Sequence, residues 1–316
     1  MHRIVLVSVT SPAVLSRPAK ARKVGAMLHT WTLALFVFFM IGPQLGWSRP
    51  QEVPETKPQP TAQELVREMV ESAMWRRNGT HVHWRLREVV RKDGRSETHE
   101  ICQTEGGDVD RLVAVNNQPL SLEERKREDQ RIQRVLADPS EIRKEKQKQR
   151  EDLEKEHRMF EIFPKAFRYE YAGHDGDLVK LKFEPDPQFE PANRQEEVFH
   201  HMEGTMWIYP EQKQLARIDG RLMSEVKFLG GLLGYLDKGG TFSVTLRDVG
   251  AGHWEMADLD VKMEGKALLF KTFAVQEQKE YDDYRQVPDT LTLQQAAELL
   301  EHSASAFEQT AANNSK

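Results

Sequence analysis

Residues 204–222 (GTMWIYPEQKQLARIDGRL), 240–265 (GTFSVTLRDVGAGHWEMADLDVKMEG) and 266–278 (KALLFKTFAVQEQ) carry the clearest structural signal in the chain. Each segment places apolar residues on alternate positions around a turn. Such alternation is typical of antiparallel strands that have one buried face and one solvated face. We therefore expect the block from Gly204 to Tyr284 to form an antiparallel sheet.

Helix signals lie outside this block. Thr61 is followed by Glu64 at the spacing of a capping box, which marks the first turn of a helix. Ser121 and Glu124 repeat the pattern. A last helix is predicted after Pro288, because apolar residues then recur at helical spacing. Strands together with helices that do not alternate with them predict an α+β fold.

The stretch 121–160 is a charged helical insertion. Acidic and basic residues interleave along it, so side chains three and four positions apart form pairs on a solvated helix. Asp138-Pro139 interrupts it. Its few apolar residues indicate that one side lies over another part of the protein: Ile132, Val135, Leu136 and Met159. We expect one domain over 61–316 that includes this insertion.

Composition excludes several classes of protein. The 316 residues carry a net charge of -5, which argues against a general nucleic-acid binder. The single cysteine, Cys102, rules out an intramolecular disulfide. Glu100 and Glu105 lie close to it in sequence and disfavour a thiolate, so we interpret Cys102 as a structural thiol.

The N-terminal region has the pattern of an export signal. A basic cluster (Lys20, Arg22, Lys23) precedes the apolar run 28–47, and no charged residue follows until Arg49. This order predicts a secretory signal peptide. The run is also long enough to remain as a membrane-spanning helix.

We therefore expect residues 1–48 to be a signal peptide or an N-terminal membrane anchor, with Met1 or Met27 as the start. Residues 49–60 are rich in proline and predict an extended linker. No cysteine follows the apolar run, so a lipid-anchored lipoprotein is not expected. The body of the protein would be periplasmic or exported, or held at the inner membrane by the uncleaved helix.

Candidate catalytic and metal-binding residues do not form a known pattern. His200, His201 and Glu203 are close in sequence, but adjacent histidines on a strand point to opposite faces. His83 should face solvent, because Trp84 occupies the opposite, apolar side of its strand. Neither H-E-x-x-H nor G-x-S-x-G occurs. We expect no metal, no cofactor and no enzymatic activity; a hydrolase would need a Ser, Asp or Glu bonded to a histidine in a cleft.

The segment 228–240 (FLGGLLGYLDKGG) is rich in glycine but is not a phosphate-binding loop, because no Lys-Ser or Lys-Thr follows the glycines. Its leucines and aromatic residues form an apolar cluster. Two interpretations remain open, a flexible flap over a cavity and a tight connection packed on the sheet.

Three segments carry a resemblance to a known family: 62–88 (AQELVREMVESAMWRRNGTHVHWRLRE), 202–222 (MEGTMWIYPEQKQLARIDGRL) and 229–256 (LGGLLGYLDKGGTFSVTLRDVGAGHWEM). The chain resembles the outer-membrane lipoprotein-sorting (LolA/LolB-like) superfamily over about residues 61–284, and more closely a set of uncharacterised bacterial envelope proteins of that type. The resemblance implies a strongly curved antiparallel sheet, an open half-barrel, with helices over its concave face. An apolar cavity between sheet and helices would accommodate acyl chains.

Two features depart from that superfamily. Trp207-Ile208-Tyr209 replaces a common Trp-Ile-Asp, and the short carriers have no counterpart of the insertion 121–160. We expect the first departure to alter only a turn, whereas the insertion suggests a different cargo or partner.

The resemblance gives two functional hypotheses. In the first, the protein is a non-enzymatic periplasmic carrier of acyl chains, lipid or lipidated cargo. The ligand-binding residues would then be Trp207, Phe228, Leu232, Leu233, Tyr235, Phe242, Val244, Leu246, Trp254, Leu268 and Phe270. In the second, it is an envelope interaction module with a closed core, and its charged helices bind another protein. A cavity favours the first hypothesis, and a closed core beside an exposed apolar helical surface favours the second.

Overall fold

The computed structural model describes residues 60–79, 82–228, 234–267 and 271–314. The predicted signal or anchor and all of the linker except Pro60 lie outside these residues. Within them, the α-helices are α1 (Ala62–Gly79), α2 (Leu122–Ala137), α3 (Pro139–Ala166), α4 (Arg194–Glu197) and α5 (Leu293–Asn314), and a 3-10 helix covers Val198–His201.

The strands are β1 (His83–Lys92), β2 (Arg95–Thr104), β3 (Gly107–Val115), β4 (Gln118–Pro119), β5 (Phe167–Asp175), β6 (Leu178–Pro185), β7 (Met202–Tyr209), β8 (Gln214–Leu222), β9 (Val226–Phe228), β10 (Gly234–Leu236), β11 (Thr241–Asp248), β12 (Trp254–Ala267) and β13 (Lys271–Val287). They form one antiparallel sheet in the order β4-β3-β2-β1-β13-β12-β11-β8-β7-β6-β5, and β10 pairs with both β12 and β9. The two ends of this order do not pair with each other. The predicted α+β class with an open antiparallel sheet is confirmed.

Local signals in the sequence account for several element ends. Ser121 and Glu124 form the predicted capping box at the start of α2. Thr61 and Glu64 do the same before α1, with Glu64 N donating to Thr61 Oγ1 at 3.2 Å. The β1–β2 turn consists of Asp93 and Gly94, both with positive φ, as a two-residue type I′ hairpin requires.

One apolar cluster packs between α1 and the strands β5 to β8. Its buried members are Ala62, Leu65, Val66, Met69, Val70, Ala166, Phe167, Tyr169, Val179, Leu181, Phe183, Phe199, Met206, Ile208 and Ile218. The α1 residues of this cluster are 0–6% exposed, so side chains fill the space under the helix. We call this side of the sheet the α1 face.

A second apolar cluster packs under α5, on what we call the α5 face. Its buried members are Cys102, Val109, Ile132, Val287, Ala296, Ala297 and Leu300. Directly paired residues point to the same side of a sheet, and successive residues alternate.

The strand register shows that these two faces are opposite sides of the sheet. Phe242 on the α1 face pairs with Val261, Val261 pairs with Glu277, and Glu277 pairs with Lys92, so Lys92 also points to the α1 face. Arg85 lies seven positions before Lys92 on β1 and therefore points to the other side, as does its partner Cys102. Because the two faces are opposite sides of the sheet, α1 and α5 cannot both lie over one concave face. The sequence alone did not predict this arrangement.

Two glycines on the α1 face make room for two aromatic rings. Phe183, Gly204, Gly220 and Phe242 are successive partners across β6, β7, β8 and β11. A Cβ atom on Gly204 would approach the ring of Phe183 to less than 3.0 Å, and one on Gly220 would do the same to Phe242. The rings therefore lie over the glycine backbones.

Helix α2 covers the edge of the sheet next to the short strand β4. Leu112 N donates to Glu128 Oε1 at 2.9 Å, and Arg131 Nη2 donates to Asp110 O at 2.5 Å. Ile132 anchors the helix and is 3% exposed. Side chains of the charged insertion thus replace the hydrogen bonds that a further strand would make with β3.

Helix α3 connects the two ends of the sheet. Near its start, Lys146 Nζ donates to Glu105 O in the β2–β3 turn at 2.9 Å, and its end at Ala166 leads directly into β5. About 20 helical residues span about 30 Å. A flat sheet would separate β3 from β5 by nine strand spacings, which amounts to about 43 Å. The sheet must therefore curve.

Two expectations need correction. The charged insertion continues to Ala166 instead of ending near 160, because Phe160, Ile162 and Phe163 pack against the cluster under α1. His83 does not face solvent. It is 8% exposed, and its Nδ1 lies 3.2 Å from Asp289 Oδ1, since the chain leading to α5 covers that side of β1.

Gly220→Ala should lower the free energy of unfolding by about 1–3 kcal/mol, because the added methyl group overlaps the ring of Phe242. Urea unfolding measures this change. In a Phe242→Ala background the same substitution should cost much less, since the ring is gone. Additive losses in the double variant would show that the ring does not lie over the glycine.

Glu128→Ala should speed hydrogen exchange at the Leu112 amide and lower the free energy of unfolding by about 1–3 kcal/mol, because a buried donor loses its acceptor. Exchange mass spectrometry and urea unfolding measure the two effects. The control is Glu123→Ala, which removes an exposed pair with Arg127 and should change stability by less than about 0.5 kcal/mol. Equal behaviour of the two variants would contradict the edge-covering role of α2.

Candidate functional site

A cleft with a volume of about 450 Å³ lies where the ends of several strands meet. We call it the aromatic cleft. It lies at the β5–β6 turn, the end of β7, the start of β8, the end of β11 and the start of β12. The residues that line it are Asp175, Leu178, Trp207, Tyr209, Ala216, Arg217, Thr245, Leu246, Arg247, Asp248 and Trp254. Three of them were predicted from the sequence: Trp207, Leu246 and Trp254.

Aromatic rings and cations are close together in this cleft. The rings of Tyr209 and Trp254 lie 5.2 Å apart at an angle of 52°. The ring of Trp207 lies between two cations on neighbouring strands, with Lys180 Nζ at 5.1 Å and Arg217 Cζ at 5.2 Å from its centroid. These distances are those of cation–π contacts. The arrangement offers apolar surface next to positive charge.

Hydrogen bonds hold the two arginines of the cleft in place. Arg217 Nε donates to Asp219 Oδ1 at 2.8 Å, and this hydrogen bond raises the pKa of the Arg217 guanidinium above its ordinary value. Arg247 Nη2 donates to the backbone oxygen of Tyr281 at 2.8 Å. These hydrogen bonds orient both guanidinium groups at the cleft.

The remaining predicted ligand-binding residues do not join this cleft. Phe242 and Val244 lie on the α1 face, partly buried against the cluster under α1. Trp207 lies on the opposite side of the sheet, because its partner Arg217 neighbours Ile218 of that cluster. The structure therefore separates Phe242 and Val244 from Trp207, although the sequence hypothesis placed them on one surface. Leu246 is two positions after Val244 on β11 and shares the α1 face with it, so the aromatic cleft lies at the strand ends, where residues of both faces meet.

Other predicted residues belong to the extension made by β9 and β10. Tyr235 on β10 has Lys266 Nζ at 5.8 Å from its ring centroid. Phe228 ends β9, and its backbone pairs with Gly234. The rest lie outside the described residues: Leu232, Leu233, Leu268 and Phe270.

Tyr209 and Arg217 also line the cleft but were not predicted as ligand-binding residues, although local signals indicated both. Tyr209 is two positions from Trp207 on a strand, so the two side chains point to the same side. Arg217 pairs with Trp207 across the hairpin that joins β7 and β8. Arg247 had no comparable signal, because it comes from a strand further along the chain.

The histidine-rich segment does not form a metal site in the part of the chain that is described. His200 and His201 belong to the 3-10 helix and not to a strand, which corrects the geometry we had assumed. Among the described residues there is no group of three or more His, Cys, Asp or Glu side chains that could hold a metal ion.

Three histidine contacts meet part of the condition set for a hydrolase: His83 with Asp289, His99 with Asp110, and His201 with Ser224, where the partner is a hydroxyl group. His201 Nδ1 lies 2.6 Å from Ser224 Oγ. Both groups are at the surface, and neither lines the aromatic cleft. Within the described ranges, no carboxylate is bonded to the ring of His201, so the orienting group of a triad is not part of this arrangement.

Cys102 is fully buried in the cluster under α5. Burial raises the pKa of its thiol to about 11, and the nearby Asp108 carboxylate adds to the effect. A protonated, buried thiol is a poor nucleophile. This environment agrees with the interpretation of Cys102 as a structural residue.

No helix among the described residues is long and apolar enough to cross a membrane.

Comparisons with known proteins give little further information. No family model matches the chain, and no curated protein matches it. Among solved structures, a DUF1329 family protein from Desulfovibrio piger matches with 9% sequence identity and a TM-score of 0.25, over 72% of this chain and 94% of that one. At this level the match carries no conclusion about family or function, and the resemblance to the lipoprotein-sorting superfamily stays a prediction.

Proposed function

We propose that the protein is a non-enzymatic envelope protein that binds the acyl chain of a lipid or of lipidated cargo in the aromatic cleft. The observation that carries this proposal is the convergence of Trp207, Leu246 and Trp254 in one cleft of about 450 Å³. Pockets for small molecules have volumes of about 300–1,000 Å³ and mostly apolar walls. No cofactor and no covalent step are required.

The binding energy would come from apolar contact. Each methylene group removed from water contributes about 0.8 kcal/mol, so a few methylenes against Trp207 and Trp254 give useful affinity. Lys180 and Arg217 lie beside the Trp207 ring and would attract an anionic headgroup. An amphiphile with an apolar chain and a negative end therefore suits this cleft.

The ligand would lie in a surface cleft and not inside the sheet. Side chains of α1 such as Val66 and Met69 fill the space on the α1 face. This placement differs from the internal cavity that the resemblance implied. A surface cleft at the strand ends would let cargo enter and leave without any movement of the core.

The proposed location follows from the sequence of the N-terminal region. A basic cluster before an apolar run supports export to the periplasm, and residues 28–47 would attach the protein to the inner membrane if they are not removed. The net charge of -5 gives no support for a nucleic-acid partner. Lipid or acylated cargo is the partner that we propose.

A second function, as a protein-binding module of the envelope, has its own supporting observation. Large apolar side chains stand out from the helices: Trp75 is 75% exposed, Leu122 70%, Met159 43% and Val135 39%. Together with the filled core on the α1 face, they suit a partner protein that contacts α1, α2 and α3. This alternative predicts protein binding without lipid.

Trp254→Ala should weaken the binding of a dansyl-labelled fatty acid about tenfold, because the ring contributes about 1.4 kcal/mol or more of contact energy. Fluorescence titration measures the dissociation constant, and thermal unfolding checks that the fold persists. The control is Trp75→Ala, which removes an exposed ring far along α1 and should change affinity by less than about twofold. Equal affinity of both variants, or no saturable binding by the unchanged protein, would contradict the proposal.

A further inference from the structure

A second cleft lies between α5 and the strands β1, β2 and β13. Its volume is about 810 Å³, and we call it the polar cleft. The sheet contributes charged side chains to it: Arg85, Arg87, Glu100, Asp283 and Arg285. Its residues come from β1, β2, β13 and α5, and none of these elements lines the aromatic cleft. Binding in the polar cleft therefore does not depend on the function proposed above.

Glu100 lies at the base of the polar cleft and is 1% exposed. Its Oε1 accepts hydrogen bonds from Arg87 Nε and Nη2 at 3.3 and 3.2 Å. Its Oε2 lies 3.3 Å from Arg85 Nε, and neither atom has a hydrogen-bond partner among the described residues. Burial raises the pKa of Glu100, although the two arginines oppose this effect.

A buried ion pair is weak evidence for a role in stability. Replacing a buried ion pair with apolar side chains of similar volume is often neutral or stabilising. A buried carboxylate that holds two arginines at the wall of an open cleft instead suggests a binding site. Glu100 itself is out of reach, but Arg85 and Arg87 are 17% and 29% exposed and are accessible to a small molecule.

Donor groups outnumber acceptor groups at this wall of the cleft. Asp283 joins two arginines, with Arg85 Nη2 donating to its Oδ2 at 3.3 Å and Arg285 Nε to its Oδ1 at 2.9 Å. A guanidinium group has five N–H donors, and each of these two gives one of them to Asp283. The N–H groups that remain therefore favour a ligand that is rich in hydrogen-bond acceptors.

We propose that the polar cleft binds a small anion bearing a phosphate or carboxylate group, held by the guanidinium groups of Arg85 and Arg285. Planar guanidinium groups bind both anions with two parallel hydrogen bonds. On the opposite wall, α5 places His302, which adds a ring N–H donor, and Ser303, whose hydroxyl donates to Leu299 O at 3.0 Å. Glu298 on the same helix also lines the cleft and opposes an anion, as do Glu100 and Asp283, which are already paired with arginines.

Isothermal titration calorimetry with inorganic phosphate and with acetate tests this site in the unchanged full chain. We expect saturable binding of at least one of them at millimolar concentration. Arg285→Gln should weaken binding about tenfold or more, and because Arg285 is 63% exposed the variant should fold. Glu298→Gln should strengthen binding severalfold, since it removes an opposing charge. The control Arg221→Gln, which alters an exposed arginine paired with Glu203, should bind as the unchanged protein does.

A vesicle arm distinguishes the two sources of such an anion. Binding to phosphatidic acid vesicles that is lost in Arg285→Gln would identify a lipid headgroup as the ligand. Binding of free phosphate or acetate without vesicle binding would identify a soluble anion. Absence of saturable binding in all arms would overturn the proposal, and so would equal affinities of Arg285→Gln and the unchanged protein.

Discussion

The length of α3 limits the distance between the two ends of the sheet. A helix that is held at the β2–β3 turn through Lys146 and leads directly into β5 spans about 30 Å, less than the width of a flat sheet of this strand order. The two ends of the sheet are therefore drawn toward each other. Because α3 leads directly into β5, its end packs with α1 and the strands β5 to β8 in one cluster.

The two helices of the charged insertion have two different structural roles. The first helix, α2, gives Glu128 and Arg131 to the backbone of β3, so an edge strand that would otherwise offer free N–H and C=O groups is covered. The second helix, α3, bridges the ends of the sheet. Interleaved charges suit both roles, because long polar side chains reach a backbone edge while the outer helix surface stays solvated. The apolar interior lies mainly between the sheet and the helices α1 and α5, and the insertion adds Ile132 and the end of α3 to it.

Much of the fold follows from local sequence, whereas the binding surfaces do not. Period-two alternation predicts the strands, and Ser121 with Glu124 predicts the start of α2, because both signals lie within a few residues. Burial of His83 depends on Asp289 and the chain before α5, about 200 residues away, so its neighbours in sequence predicted the correct side of the strand but the wrong exposure. The aromatic cleft likewise needs Arg247 from another strand. Arg85, Glu100 and Arg285 look like solvated charges until β1 is placed between β2 and β13.

The two clefts give the same sheet two kinds of surface, one aromatic and one rich in guanidinium groups. The central functional claim is that the aromatic cleft holds acyl chains, and native mass spectrometry tests it most directly. The protein would be recovered from a periplasmic extract without detergent, and its mass compared before and after denaturation. We predict a bound species with the mass of an acyl lipid or acylated peptide, released on unfolding. A mass equal to that of the chain alone would contradict the account and favour a protein partner on the exposed helices.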